Sequence, residues 1–217
     1  DRALSVSRHL AEAMARRVPG MSIEVVPNIV DTEFFSPVAR ESRGESSGPR
    51  ICAIGNLDAI KTYDLPLRAF GRRHAKSRAA HLTICGEGEL RVALERLACD
   101  LGVGTAVTFT GLLSRAQVRD VLRESDMLVS SSRSETFGAT LIEAGAIGIP
   151  VVATASGGPD EIVRPATGRL VPVGDVDALT VAIEEAWRAN WDRSAIRGEI
   201  LRNYGRASVA GQLKSVY

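Results

Sequence analysis

The stretch ETFGATLIEAGAIGIPVV, residues 135–152, decides how this chain is organised. Its apolar residues run for the length of a helix, a Gly-Ile-Pro sequence ends that helix, and a β-branched pair begins a strand. Two carboxylates stand out, because Glu135 precedes the helix and Glu143 lies among its apolar residues. The stretch predicts a helix followed closely by a buried strand, with two glutamates whose presence requires an explanation.

Short apolar runs alternate with amphipathic stretches along the rest of the chain. Strands are predicted at 23–27, 50–55, 81–85, 106–110, 126–131, 150–154 and 169–173. Helices are predicted at about 4–17, 63–76, 88–101, 115–124, 138–148, 158–163, 175–189, 193–203 and 206–216. The strands read as continuous apolar runs, which is typical of strands buried on both faces. We therefore predict an α/β fold with a doubly wound, mostly parallel sheet and helices on both faces.

The composition excludes several classes of function. Lys and Arg number 27 against 26 Asp and Glu, so a net charge of +1 gives no general attraction to nucleic acid or anionic lipid. No apolar run approaches the roughly 18 residues of a membrane-spanning helix. The cysteines lack metal-ligand spacing and the histidines are scattered, so we expect no metal site. Reduced thiols in a cytoplasmic protein are the favoured interpretation of Cys52 and Cys85.

Residues 40–50, RESRGESSGPR, break the pattern because they are polar and contain no large apolar side chain. This composition predicts a linker, with an ordinary surface loop as the alternative. One predicted helix and one predicted strand precede it, which is too little for a domain.

Glycines and polar residues follow the predicted strands at the edge where open parallel sheets bind ligands. These segments are Gly55-Asn56 with Lys61, GEGE (86–89), GLLS (111–114), SSSRSETFG (130–138) and ASGGPDE (155–161). The GEG sequence is not the dinucleotide fingerprint, because Arg91 stands where that motif needs its third glycine. A tight turn explains these glycines equally well.

The start of the helix after Gly138 suits a phosphorylated ligand with hydroxyl groups. Glycine permits close approach of the backbone, and a helix N-terminus offers unpaired N–H groups to an anion. Glu143 projects back toward the same end of the helix, where its two oxygens match a vicinal diol. Glu135 would meet hydroxyls beyond the phosphates, so the pattern fits a nucleotide diphosphate sugar. The alternative is a solvated Glu143 and an ordinary loop charge at Glu135.

Seven segments carry a resemblance to a known family: SVSRHLAEAM, VVPNIVDTEFF, AIGNLDAIKTYDLPLRAF, LTICGEGELRVALERLACDLGV, VTFTGLLSRAQVRDVLRESDMLVSSS, ETFGATLIEAGAIGIPVVATASGGPDEIV and TGRLVPVGDVDALTVAI. In this order, and with an E-x7-E element from Glu135 to Glu143, they resemble the C-terminal half of a retaining GT-B glycosyltransferase of family 4, often called group 1. The resemblance spans nearly the whole chain. It implies a Rossmann-like fold that forms one half of a GT-B enzyme.

The resemblance also implies roles for particular residues. Glu143 would bind the ribose hydroxyls, Glu135 the hydroxyls of the transferred sugar, and Lys61 the leaving diphosphate, so Lys61 and Glu135 are the candidate catalytic residues. The other candidate donor contacts are Asn56, Gly86, Leu113 against the base, and the backbone amides of Phe137, Gly138, Ala139 and Thr140. The family implies no metal and no cofactor, since the nucleotide sugar is the substrate.

Three residues depart from the family pattern. Asn56 stands where an arginine usually supplies a second phosphate cation, and Thr62 stands where a glycine commonly follows the lysine. Ile29 replaces the usual glycine of a PNGVD-like sequence. We therefore expect an altered turn after Lys61 and an altered path near Ile29, because β-branched residues avoid positive φ.

The resemblance divides the chain into three parts. Residues 1–36 resemble the end of the N-terminal domain with its connection, residues 37–205 the nucleotide-sugar-binding domain, and residues 206–217 the terminal crossover helix. We expect the missing N-terminal domain to be a partner, with a dimer through these flanks as another possibility, and expect the fragment alone to be inactive. The parent enzyme would transfer a hexosyl group in the bacterial cytoplasm. A non-catalytic nucleotide-sugar-binding module and a GT-B sugar-nucleotide epimerase remain alternatives.

Overall fold

A computed structural model describes residues 2–39, 48–74 and 79–216. The strands of this described part are β1 (Arg2–Ser5), β2 (Ser22–Val25), β3 (Arg50–Ile54), β4 (His81–Cys85), β5 (Val107–Gly111), β6 (Met127–Ser130), β7 (Val151–Thr154) and β8 (Gly168–Val171). Its α-helices are α1 (Arg8–Arg17), α2 (Asp64–His74), α3 (Arg91–Asp100), α4 (Arg115–Glu124), α5 (Ala139–Ile147), α6 (Gly158–Ile162), α7 (Val176–Arg188), α8 (Arg193–Tyr204) and α9 (Arg206–Val216). A 3-10 turn at Gly104–Ala106 precedes β5.

Six of the strands form one parallel sheet in the order β5-β4-β3-β6-β7-β8. The chain starts at β3 in the middle, runs to the β5 edge, and then returns to β6 on the other side of β3. The direction of winding therefore reverses between β3 and β6, which is the point where such sheets bind ligands. The predicted doubly wound α/β fold is confirmed.

Both faces of the sheet are buried because neighbouring residues of a strand point to opposite sides. In β3, Ile51 packs into a cluster with Phe70 of α2, whereas Cys52 packs into a second cluster with Leu141 of α5. The first cluster lies under α2, α3 and α7, and the second under α4, α5 and α8. This two-sided burial explains why the strands read as continuous apolar runs.

The prediction of a helix over residues 4–17 is wrong at its start. Residues Arg2–Ser5 form β1, which pairs in parallel with β2 in a separate two-stranded sheet. Helix α1 begins after Ser7, whose side chain accepts a hydrogen bond from the Leu10 N–H at 3.1 Å. A four-residue strand with a single large apolar side chain, Leu4, leaves no clear period in the sequence.

The segment that follows β2 is held by arginines of the main domain. The Arg197 guanidinium donates to the carbonyls of Thr32 at 2.8 Å and Phe35 at 3.0 Å. Arg123 donates to the carbonyl of Ser36 at 2.9 Å. Ile29 does not adopt a positive φ, the conformation that a glycine would permit at this position. This is what we expected of a β-branched side chain, and it is consistent with the altered backbone path.

The predicted linker at 40–50 lies mostly outside the described residues. Its last residues are structured, because Gly48 and Pro49 are buried and Arg50 begins β3. Gly48 packs directly on the backbone of Ala79, where a side chain would collide. The linker prediction is therefore wrong for its C-terminal end.

The helices of the two flanks, α1 and α9, bury few of their side chains. Helix α1 buries none of its side chains, and Val18 at its end is largely exposed. Helix α9, at the predicted position, packs on α8 and buries Val209 while Leu213 stays exposed. Apolar side chains are therefore exposed at both flanks.

Candidate functional site

Two predicted catalytic residues meet where the winding of the sheet reverses. Lys61 follows β3 and Glu135 follows β6, and the Lys61 Nζ lies 2.5 Å from the Glu135 Oε2. The two side chains are 28% and 16% exposed, so the ion pair is half-buried at the sheet edge. Because the chain separates these residues by 74 positions, their contact depends on the strand order.

The turn that carries Lys61 is fixed by its own hydrogen bonds. The carboxylate of Asp58 accepts from the backbone N–H groups of Ile60 at 2.9 Å and Lys61 at 3.0 Å. The Ile60 carbonyl accepts from the N–H of Arg133, on the loop after β6, at 2.8 Å. The lysine is therefore presented by a bonded turn tied to the neighbouring loop.

Thr62 directly follows Lys61, at the position where we expected a residue other than glycine to alter the turn. Its φ of +46° is left-handed, the conformation that glycine adopts most readily. The predicted alteration is wrong, because a buried threonine occupies the glycine-like conformation.

Helix α5 begins beside the Lys61–Glu135 pair. Its N-cap, Gly138, has φ +100° and no side chain caps the helix, while Ala139 is exposed and Thr140 half-buried. Phe137 is buried and meets the Tyr204 ring edge-on, with centroids 5.8 Å apart, which anchors the helix start. The first turn of α5 therefore offers a positive dipole end at the candidate site.

Glu143 is not a solvated surface residue. It is half-buried in the second turn of α5, and burial raises its pKa from 4.5 to about 7. The positive charge of Arg115, at the start of α4, opposes this increase. The Arg115 guanidinium lies over the Phe34 ring at 4.7 Å from the centroid. A carboxylate kept in such surroundings destabilises the fold near neutral pH, which is typical of functional residues.

Gly86 and Gly88 let the loops after β3 and β4 pack together. A side-chain carbon on Gly86 would lie 1.9 Å from the Gly55 carbonyl oxygen, and one on Gly88 would lie 2.4 Å from the Leu57 carbonyl oxygen. Both glycines also have positive φ. The hydrogen-bonded turn begins at Gly88, whose carbonyl accepts from the Arg91 N–H at 3.1 Å, whereas Gly86 forms a bridge with Gly111. The close approach of both glycines is to protein backbone, and Gly86 as a donor contact stays a prediction.

The segment after β5 presents apolar surface at the same edge of the sheet. Leu113, the predicted base contact, is half-buried, whereas Leu112 is 80% exposed. The Glu87 carboxylate lies close to Gly111 and pairs with Arg91. The sequence did not single out Leu112 or Glu87 individually, although the GLLS and GEGE segments that contain them were placed at this edge.

Asn56 is exposed at the carboxyl end of β3, beside the Lys61 turn. Arg133, on the loop after β6, lines a cleft of about 530 Å³ between α1 and the loops after β6 and β7. Arg8, His9, Ser156 and Gly157 also line this cleft, which the sequence did not indicate.

Within residues 2–39, 48–74 and 79–216, no group of three or more His, Cys, Asp or Glu side chains is placed to hold a metal ion. None of the helices in these ranges is long and apolar enough to cross a membrane.

The fold and the edge residues define the class as a Rossmann-like α/β domain with a polar site at its topological switch point. The family described as Glycosyl transferases group 1 matches residues 37–205. The chain belongs to this family. The predicted family resemblance is therefore confirmed.

Curated relatives resemble the chain over most of its length. It is 31% identical to the GDP-mannose-dependent alpha-(1-6)-phosphatidylinositol monomannoside mannosyltransferase of Mycolicibacterium smegmatis, over 82% of this chain and 50% of that protein. It is 33% identical to the D-inositol 3-phosphate glycosyltransferase of Mycobacteroides abscessus, over 85% of this chain and 46% of that protein. The chain thus spans about half the length of these relatives.

Two solved structures share the fold. Sucrose-phosphate synthase from Thermosynechococcus elongatus has a TM-score of 0.86 and 25% identity, with 100% of this chain and 57% of that chain covered. HepE of Anabaena, solved with UDP and glucose, has a TM-score of 0.80 and 18% identity, with 98% of this chain and 62% of that chain covered. These similarities confirm the Rossmann-like architecture.

Proposed function

We propose that this chain is the nucleotide-sugar-binding half of a retaining glycosyltransferase. The parent enzyme transfers a hexosyl group from an NDP-sugar to a glycan, lipid or small-molecule acceptor. The observation that carries the proposal is the Lys61–Glu135 pair beside the uncapped start of α5 at the switch point of the sheet. Family membership and the mannosyl and glycosyl transferases among the relatives support it.

The leaving diphosphate lies between Lys61 and the N-terminus of α5. A primary ammonium and a helix dipole both stabilise negative charge, and their effect is largest on the charge that develops as the glycosidic bond breaks. Glu135 holds the hydroxyls of the transferred sugar, and its pairing with Lys61 balances the two charges before the donor binds. The backbone amides of residues 137–140 and the uncharged Asn56 complete the phosphate contacts.

Glu143 binds the ribose diol, and Leu113 lies against the base. Ribose hydroxyls donate best to an ionised carboxylate, so donor affinity increases as the pH rises through the Glu143 pKa of about 7. Gly86 lies at the same edge. The buried free thiols of Cys52 and Cys85 support a cytoplasmic location. Retention and metal independence belong to the same proposal through the family resemblance.

A second domain completes the catalytic cleft. The chain spans about half of its curated relatives, and its α1 helix buries none of its side chains. We propose that this surface contacts the N-terminal domain or a second flank. The chain alone therefore binds the donor nucleotide and transfers nothing.

Calorimetric titration with UDP, GDP, ADP and CMP tests the proposal. We expect one diphosphate to bind selectively, and Glu143→Ala to weaken that binding by about 5- to 160-fold, the effect of removing a buried polar partner. Glu185→Ala, on the exposed side of α7, is the control and leaves affinity unchanged. Unchanged affinity in Glu143→Ala would exclude the ribose assignment. Absence of binding by every diphosphate would contradict a donor site in this chain.

A further inference from the structure

Thr62 has a backbone conformation that β-branched residues rarely adopt. In the described part of the chain it is the only non-glycine residue with positive φ, at +46°. A branched side chain is strained in this region, and such strain persists only where the surroundings hold it. The residue directly after Lys61 is therefore kept in place by specific contacts.

Those contacts are made with Ser131, on the loop after β6. The Thr62 hydroxyl donates to the Ser131 carbonyl, and the Ser131 hydroxyl lies 2.7 Å from the Lys61 carbonyl and 3.1 Å from the Thr62 carbonyl. Thr62 is 5% exposed and Ser131 is equally buried. Water does not compete for hydrogen bonds at this depth, and a buried carbonyl left unpaired is unfavourable.

The reciprocal hydrogen bonds between Thr62 and Ser131 join the loops that follow β3 and β6. Their partners include the Lys61 carbonyl on one loop, and Glu135 follows on the other. A shift of Thr62 out of the left-handed region would rotate the adjoining peptide and carry Lys61 with it. We infer that Thr62 is a positioning residue, whose hydroxyl bond to Ser131 holds Lys61 against Glu135.

Three substitutions at Thr62 separate positioning from general stability. Thr62→Val keeps the shape and the strain but removes the hydroxyl, so the turn is free to relax. Thr62→Gly removes the strain, so the turn keeps its conformation without the hydroxyl. Thr62→Ser keeps the hydroxyl with a less branched side chain. A merely structural role would rank these variants by stability alone, whereas positioning separates Val from both Gly and Ser.

The rate at which Lys61 is acylated reports on its contact with Glu135 and can be measured without any ligand. The chain contains only Lys61, Lys76 and Lys214, so after acylation by a succinimidyl ester the other two serve as internal references in peptide mass spectrometry. We expect Lys61 in Thr62→Val to react about fivefold faster relative to Lys214, the factor that corresponds to one net hydrogen bond. In Thr62→Gly and Thr62→Ser we expect the wild-type ratio.

Circular dichroism verifies folding. If Thr62→Val does not fold, Ser131→Ala removes the other half of the reciprocal bonds, from the Ser131 hydroxyl to the carbonyls of Lys61 and Thr62, and should raise the Lys61 reactivity in the same way. Equal Lys61 reactivity in the Val, Gly and wild-type chains would overturn the inference. The inference would also be overturned if Lys61 reactivity increased in all three Thr62 variants in proportion to the decrease in their melting temperatures.

The role of the lysine itself rests on the proposed function. We expect Thr62→Val to lose affinity for the nucleoside diphosphate while keeping that for the nucleoside, and to add nothing in a Lys61→Ala background. If wild type binds no diphosphate, the proposed function fails, while the labelling pattern still decides whether Thr62 positions Lys61. An equal loss of affinity for the nucleoside diphosphate and for the nucleoside would overturn the inference that Thr62 positions Lys61.

Discussion

Replacing Glu143 by glutamine should stabilise the domain, and the gain should depend on pH. Burial raises the pKa of Glu143 from 4.5 to about 7. The folded state therefore binds the proton more tightly than the unfolded state. The stability that this proton contributes is fully present below about pH 4.5 and is lost as the pH rises through about 7. Glutamine resembles the protonated form at every pH and does not suffer this loss.

The magnitude follows from the difference between the two pKa values. At about 1.4 kcal/mol per unit, the shift from 4.5 to about 7 corresponds to about 3 kcal/mol at pH values above about 8. Near pH 4.5 the difference between the variant and wild type shrinks to less than about 0.5 kcal/mol. For a chain of this size, about 3 kcal/mol raises the melting temperature by about 6–12 °C.

Urea unfolding of the wild type and of Glu143→Gln, from about pH 4.5 to about pH 8, measures the difference in their free energies of unfolding directly. Comparison at each pH cancels every other titrating group that the two chains share. Glu185→Gln is the control, because that carboxylate is 59% exposed and its 3.7 Å pair with Arg169 lies at the surface, where such pairs contribute little to stability. A gain in Glu143→Gln that is the same at both ends of the range would refute the argument from burial.

Two further substitutions test other parts of the edge. Gly86→Ala should destabilise by about 3 kcal/mol or more, because its side-chain carbon would lie 1.9 Å from the Gly55 carbonyl oxygen. Gly102→Ala is its control in the same urea experiment, since it shares a positive φ but meets nothing within 4 Å, and should lose only about 1–2 kcal/mol. Asn56→Arg should strengthen diphosphate binding about tenfold or more by calorimetry without a change in melting temperature, since it adds a charge-assisted contact at an exposed position. Unchanged affinity would show that Asn56 does not face the diphosphate.

Local patterns predicted most of the architecture. The main-sheet strands and the helices from α2 onward lie close to their predicted positions, because each has its own apolar period and its own turn residues. The strand β1 was missed because four residues with one large apolar side chain carry no period. The end of the predicted linker was wrong because polar composition does not reveal that Gly48 packs on Ala79.

The sequence also predicted a candidate site at one edge of the sheet, since glycines and carboxylates at strand ends are typical of the edge where parallel sheets bind ligands. It did not reveal how these residues interact, because they are far apart in the chain. The cleft lined by Arg8 and Arg133 was missed for the same reason, since its two walls are also far apart in the sequence.

By itself, then, the sequence determined the α/β class, the positions of the main strands and the edge that carries Lys61, Glu135 and Glu143. These depend on periodicity and turn chemistry over a few residues. Only the tertiary structure decided that Lys61 pairs with Glu135, that Thr62 is held left-handed, and that burial raises the pKa of Glu143. Each of these depends on the strand order, which brings the ends of β3 and β6 together, and on the helices that cover them. Contacts between segments so distant in sequence carry no local signal that a pattern of residues can record.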